Sequence, residues 1–136
     1  LTSAGAYDDG AEYSPDGKWI YFNSDRSGGW DIWRIPASGA GEGDRLAQRL
    51  SSDDGEDWFP HLSPDGKQIL VLTFPPGTIG HNGRRDGMQL RWMKTPGSRV
   101  RAPKLRTLFE FRGGQGSINV NSWAPDGKRF AYVAYD

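Results

Sequence analysis

Ser14-Pro15-Asp16-Gly17-Lys18-Trp19-Ile20-Tyr21-Phe22 is a tight turn running into a short apolar strand, and it decides the fold. Pro15 presets φ for the second position of a type I turn. Asp16 tolerates the third, and Gly17 accepts the left-handed conformation that follows. The turn joins two antiparallel strands. Its pattern recurs as Ser63-Pro64-Asp65-Gly66-Lys67 and as Ala124-Pro125-Asp126-Gly127-Lys128, at offsets of 49 and 61 residues. Each copy is followed by an apolar run: Trp19–Phe22, Ile69–Leu72 and Phe130–Val133. Such runs predict strands buried on both faces. A shorter, mixed strand precedes each turn, at Ala11–Tyr13, Pro60–Leu62 and Asn121–Trp123.

In the first two repeats a third strand is predicted near Asp31–Ile35 and Gln89–Met93. A fourth is predicted near Gln48–Leu50 and around Leu105–Phe111. Asp44–Arg49 is long enough for one helical turn at most. Four strands in a unit of 40–60 residues is the pattern of a propeller blade. The predicted fold is therefore all-β, a partial β-propeller of about two and a half four-stranded antiparallel blades. Residues 1–3 are assigned to the last strand of a preceding blade, 7–52 to blade one, 56–112 to blade two and 117–136 to the first half of blade three. Most of the extra length of the second repeat falls between its second and third strands. That places a glycine-rich, basic insertion at residues 74–87, too polar to be core. The 19 glycines and 9 prolines supply the turns, and 6 Trp with 5 Tyr supply apolar area between blades.

The string from Tyr13 to Trp33, with Ser14-Pro15-Asp16-Gly17-Lys18 and Ser24-Asp25-Arg26, resembles the repeat of TolB-type β-propellers. The resemblance covers essentially the whole chain. The second repeat departs from it by replacing Ser-Asp-Arg with Thr73-Phe74-Pro75 and the insertion. The resemblance implies a non-enzymatic protein-interaction scaffold like the periplasmic TolB component of the Tol–Pal envelope and transport system, in a periplasmic or extracellular location. Similar repeats also form the propeller part of larger enzymes, peptidases of the prolyl-oligopeptidase type and oligosaccharide lyases, and this is the alternative. A propeller usually closes with four or more blades. The chain is therefore expected to be part of a longer propeller, or to be completed by self-association through open blade faces.

The net charge is zero but unevenly spread. Residues 1–66 hold five Lys/Arg against thirteen Asp/Glu, and residues 81–112 hold nine against two. Two differently solvated surfaces account for this, as does head-to-tail attraction between copies. The neutral total argues against nucleic acid. No apolar run is long enough to enter a membrane as a helix. With no cysteine, two histidines and no nucleophile-elbow, phosphate-loop or zinc-helix string, no catalytic residue, metal ligand or cofactor is assigned. The carboxylates of Asp53–Asp57 do not have the spacing of a calcium loop. They read as turn-forming, solvated groups.

Two sets of residues are candidates for binding. Glu12, His61 and Ser122 occupy matching positions two residues before their turns. On innermost strands they would line part of a central channel, or pair with backbone between blades. His81, Arg84 and Arg85 lie on the insertion, where a long loop on a rigid scaffold would meet an acidic protein surface or an anionic polysaccharide. Arg26 is expected to fix its turn through hydrogen bonds or a carboxylate pair. Trp19, Trp33, Trp92 and Trp123 are expected in inter-blade packing.

Overall fold

The computed structural model describes residues 1–97 and 103–136. Arg99 and Arg101 of the basic segment, and part of the predicted second blade, lie outside the described residues. Two four-stranded antiparallel sheets make up most of the chain. The first runs β1 (Asp8–Tyr13), β2 (Trp19–Ser24), β3 (Asp31–Pro36) and β4 (Gln48–Arg49), each strand beside the next. The second runs β5 (Glu56–Leu62), β6 (Gln68–Phe74), β7 (Arg85–Lys94) and β8 (Arg106–Gly113) in the same meander. Among the described residues, helix is confined to 3-10 turns at Glu42–Asp44 and Gln115–Ser117.

The repeated turn is one structure made three times. Gly17, Gly66 and Gly127 take φ of 70°, 69° and 66°. Their N–H groups donate to Ser14, Ser63 and Ala124 carbonyls at 2.8, 2.8 and 2.9 Å. Asp16, Asp65 and Asp126 each accept the N–H of the following lysine, at 3.1, 3.1 and 3.0 Å. The Ser14 and Ser63 hydroxyls add a bond of 2.6 Å to the same carboxylates. These hydroxyl bonds come first in holding Asp16 and Asp65 below the ordinary carboxylate range.

The middle strands are apolar on both faces because both faces are covered. Tyr21, Ile32 and Leu50 from the first sheet meet Leu62, Ile69, Val71 and Met93 from the second. On the far side of the second sheet, Leu70, Leu72 and Phe74 pack with Trp58, Met88, Leu90 and Ile118, and with Trp123 and Phe130. Each large side chain removed from water in this way contributes roughly 1.5–3 kcal/mol.

The first strand of each sheet carries a bulge at a matching position. The register shifts between Asp9 and Glu12 in β1 and between Trp58 and His61 in β5. The residues that turn left-handed are Gly10, φ 63°, and Phe59, φ 53°. A Cβ on Gly10 would stand 2.6 Å from Asn23 Oδ1, so glycine is required there twice over. Phe59 bears the strain instead, and its N–H is held by Asn23 Oδ1 at 3.0 Å.

Four places differ from the sequence reading. Phe74, placed at the start of a polar insertion, is fully buried at the end of β6, where it pairs with Glu56. Arg85, Asp86 and Gly87 belong to β7, which leaves Pro75–Arg84 as the loop. Leu1–Ser3 form no strand. They are tied to the first sheet by the Ala40 N–H to the Leu1 carbonyl, 3.0 Å, and the Ser3 N–H to Asp44, 2.7 Å. The third hairpin closes only at the Trp123–Phe130 bridge. Beyond it Val133 is 53% exposed, because no third strand covers it as β3 and β7 cover β2 and β6.

Candidate functional site

Glu12 and His61 do meet. Glu12 Oε2 lies 3.0 Å from His61 Nδ1, and Glu12 Oε1 accepts the Leu62 N–H at 2.9 Å. His61 Nε2 lies 2.9 Å from the Ile118 carbonyl oxygen. Ser122 stays apart, its hydroxyl donating to the Val120 carbonyl at 3.0 Å. Asn121 takes the place expected for Ser122. Its Nδ2 donates to Glu12 Oε1 at 2.6 Å and to the Leu62 carbonyl at 2.9 Å. Trp123 Nε1 donates to the His61 carbonyl at 3.1 Å. Groups from both sheets and from the third hairpin are thus laced at one place. Both ring nitrogens of His61 are engaged, so a metal or a proton-transfer role would first have to break the lacing. Repeat offsets point to Ser122 because they assume the same pairing in each first strand. The third hairpin pairs only at Trp123–Phe130, whereas β1 and β5 form full ladders with their neighbours.

The insertion loop is seated on three sides. Glu56 holds its base, accepting the Gly77 N–H at 3.1 Å and the Trp30 N–H at 2.8 Å. His81 meets Trp58 edge-on, ring centroids 4.4 Å apart, and Phe59 at 5.5 Å. Its Nε2 lies 3.8 Å from Asp9 of β1. Trp30 stacks on Trp58 at 3.9 Å, and Trp58 is buried beneath it. Arg84 lies over the Tyr135 ring at 5.3 Å. A Cβ on Gly114 would collide with the Gly83 carbonyl, which shows how closely the loop is pressed there. Arg85 is half-buried in β7, paired with Gly113, and does not share the exposure of Arg84. At the tip Ile79 is 94% exposed.

The acidic segment before β5 is spent on ion pairs and turns. Arg91 reaches Asp53 with both terminal nitrogens, Nη1 at 2.9 Å, and lies 3.5 Å from Asp57. Asp57 is fully buried and accepts the Thr73 hydroxyl at 2.5 Å. Burial pushes its carboxyl up to about 7, against the pull of Thr73 and Arg91. The Arg91 guanidinium holds Asp53 in the opposite direction, below its usual range. In the first sheet Arg26 pairs with Asp8 at 2.9 Å and Asp44 at 3.1 Å, and its Nε donates to the Ser24 hydroxyl at 2.9 Å. Arg26 therefore fixes its turn by a carboxylate pair, as the sequence suggested.

No family model matches the chain. An uncharacterised protein of Agrobacterium fabrum is 38% identical over 135 residues, 99% of this chain and 42% of its own length. A solved structure described as a TolB of Agrobacterium tumefaciens superposes over all of this chain and 45% of its own, with a TM-score of 0.86 and 37% identity. This chain is a segment of TolB-like β-propeller. TolB from Acinetobacter baumannii matches 87% of the chain at 25% identity with a TM-score of 0.59. The segment spans less than half the length of these relatives. Its two sheets are propeller blades, with β1 and β5 as their first strands. Among the described residues, no helix is long and apolar enough to cross a membrane.

Proposed function

We propose that the segment belongs to a non-enzymatic protein-interaction scaffold of the cell envelope, a TolB-like component acting in the periplasm. The observation that carries this is the seating of the Pro75–Arg84 loop. Blade one, blade two and the chain near Gly114 and Tyr135 all hold it, while Ile79 and Arg84 stay exposed. A loop fixed at its base with an apolar and cationic tip is suited to docking on an acidic protein surface. The lacing around Glu12, His61 and Asn121 keeps the blades at a fixed angle and so keeps the tip in place. Its residues act here as positioning groups.

The test is affinity capture from envelope extract with the full protein, wild type against Ile79→Ser/Arg84→Glu. The reading expects a discrete partner whose retention drops at least about tenfold in the variant, with circular dichroism unchanged. Equal retention by both proteins would count against the loop. Hydrolytic or lyase activity in the full protein would favour a propeller serving a larger enzyme.

A further inference from the structure

Arg34 is a buried cation whose hydrogen-bond partners among the described residues are all uncharged. It lies on β3 and is 1% exposed. Its Nε donates to Gln48 Oε1 at 2.7 Å, Nη1 to the Pro96 carbonyl at 2.9 Å, and Nη2 to the Gly97 carbonyl at 2.7 Å. The Tyr21 hydroxyl lies further off, at 3.4 Å. The Trp19 ring lies 3.9 Å from Arg34 Cζ and gives the guanidinium a platform. Residues 98–102 contain no Asp or Glu, so no carboxylate follows directly after Gly97. A buried charge ordinarily has an opposite charge beside it.

Arg34 lines a cleft of ≈ 560 Å³ between the blades, walled by Trp19, Thr95 and the turns around Asp16 and Asp65. Thr95 Oγ1, on the same cleft, is buried and has no partner among the described residues. Two terminal guanidinium nitrogens, each on one carbonyl oxygen, present the fork that a carboxylate fills with its two oxygens. A carboxylate there would be held by charge-assisted bonds, about twice as strong as those to neutral acceptors. Asp16 and Asp65, held ionised by their turns, and Lys18 share the cleft wall, so the field there is mixed and opposes a doubly charged phosphate more than a single carboxylate. The cleft passes between two turns, which suits a side chain reaching in from a passing segment.

We propose that Arg34, Trp19 and Thr95 form a receptor for the side-chain carboxylate of an Asp or Glu on a partner protein. The chain's own Pro96 and Gly97 carbonyls occupy it in the absence of that partner. This rests on the scaffold reading and supplies it with a second contact, on the turn face of the blades.

The experiment is an NMR titration of the full protein, following the Trp19 indole and Arg34 Nε–H resonances. The probes are N-acetyl-Ala-Glu-amide, N-acetyl-Ala-Gln-amide, N-acetyl-Ala-Ala with a free terminus, and inorganic phosphate. Saturable shifts at Trp19 and Arg34 with the Glu peptide are expected, with the Gln peptide at least about tenfold weaker. Arg34→Lys should weaken the Glu peptide about tenfold, because an ammonium cannot present the fork. Indistinguishable Glu and Gln peptides, shifts confined to other residues, or full binding by a folded Arg34→Lys protein would overturn the receptor. Tighter binding of the free terminus or of phosphate would overturn its side-chain assignment. Should Arg34→Lys not fold, the Glu and Gln comparison in wild type decides alone. A failed titration beside a successful capture experiment removes the receptor and leaves the scaffold.

Discussion

Blade one takes the cation that holds its inner strand from the turn between β2 and β3, where Arg26 grips Asp8 and Asp44. Blade two has lost that turn to the loop, and its cation comes from the strand itself. Arg91 stands across from Val71 where Trp33 stands across from Phe22, and it reaches back to Asp53 and Asp57. Asp8 and Asp57 are 49 residues apart and occupy matching places, paired with Ser24 and Thr73 in their ladders. The replacement is incomplete. Arg26 spends Nε on Ser24, while Arg91 Nε and Asp57 Oδ2 are buried without hydrogen-bond partners among the described residues. An ion pair can thus be re-sourced from another element, but its hydrogen-bond geometry does not come with it. The blade that gained a long loop also gained a buried carboxyl that holds its proton near neutral pH.

The largest expected effect tests which blade holds the core. Leu70 is fully buried in the cluster shared with Ile118 and Trp123. Leu70→Ala should cost about 2–5 kcal/mol in urea unfolding. Ile20→Ala, on the other face of blade one, should cost less, since the described residues on that face come from its own sheet, the β3–β4 connection and the N-terminal strap rather than a second sheet. Equal losses would mean that the two middle strands are equally well enclosed.

The acid–base comparison comes next. Asp57 binds its proton more tightly folded than unfolded. Between about pH 4 and 7 the folded chain is therefore the more protonated, and stability falls as pH rises. The ceiling on that fall is about 4 kcal/mol. Asp57→Asn keeps an acceptor for Thr73 and should flatten this slope in unfolding curves from pH 4 to 8. Asp44 behaves in the opposite sense, held low first by the Ala4 N–H, so Arg26→Met should destabilise alike at pH 5 and pH 8. Arg91→Met should cost more at pH 8 than at pH 5, where Asp57 is neutral. Parallel behaviour of the two arginine variants would erase the distinction between the blades.

A smaller effect belongs to the bulges. Gly10→Ala places a Cβ against Asn23 at φ 63°, and a loss of about 1–3 kcal/mol in thermal unfolding is expected. An unchanged melting temperature would show that β1 can shed its bulge, which β5 keeps even with a phenylalanine.

The turns, the order of strands and the paired faces were legible because each is encoded locally. Pro15-Asp16-Gly17 specifies a turn by its own dihedrals, and Ile69–Leu72 specifies a buried strand by its own composition. The lacing was half legible. Glu12 and His61 could be aligned by repeat offset, yet Asn121 comes from a hairpin paired only at Trp123–Phe130, which no offset carries. The Arg91 replacement was invisible for a related reason. An arginine at a strand position reads as an outward, solvated residue until its partners are known. Asp53 and Asp57 likewise read as solvated until an inward cation is placed beside them. Phe74 was misplaced because the prolines that follow it look like the start of a loop, while its ring closes the far end of the core.

The third turn offers the finest comparison, one atom wide. Ala124 replaces the serine of the other two turns, while the backbone bonds of the turn are kept to within 0.2 Å. What is missing is the hydroxyl that links the carboxylate to the strand after the turn, as when Ser14 Oγ donates to Asp16 and accepts the Trp19 N–H at 3.0 Å. Ala124→Ser would restore both bonds, to Asp126 and to the Arg129 N–H, with no change of backbone. A hydrogen bond at a half-exposed position is worth about 0.5–1.5 kcal/mol net, and a gain at the lower end is expected from thermal unfolding. An unchanged melting temperature would show that the third hairpin is too loosely closed to convert a better turn into stability.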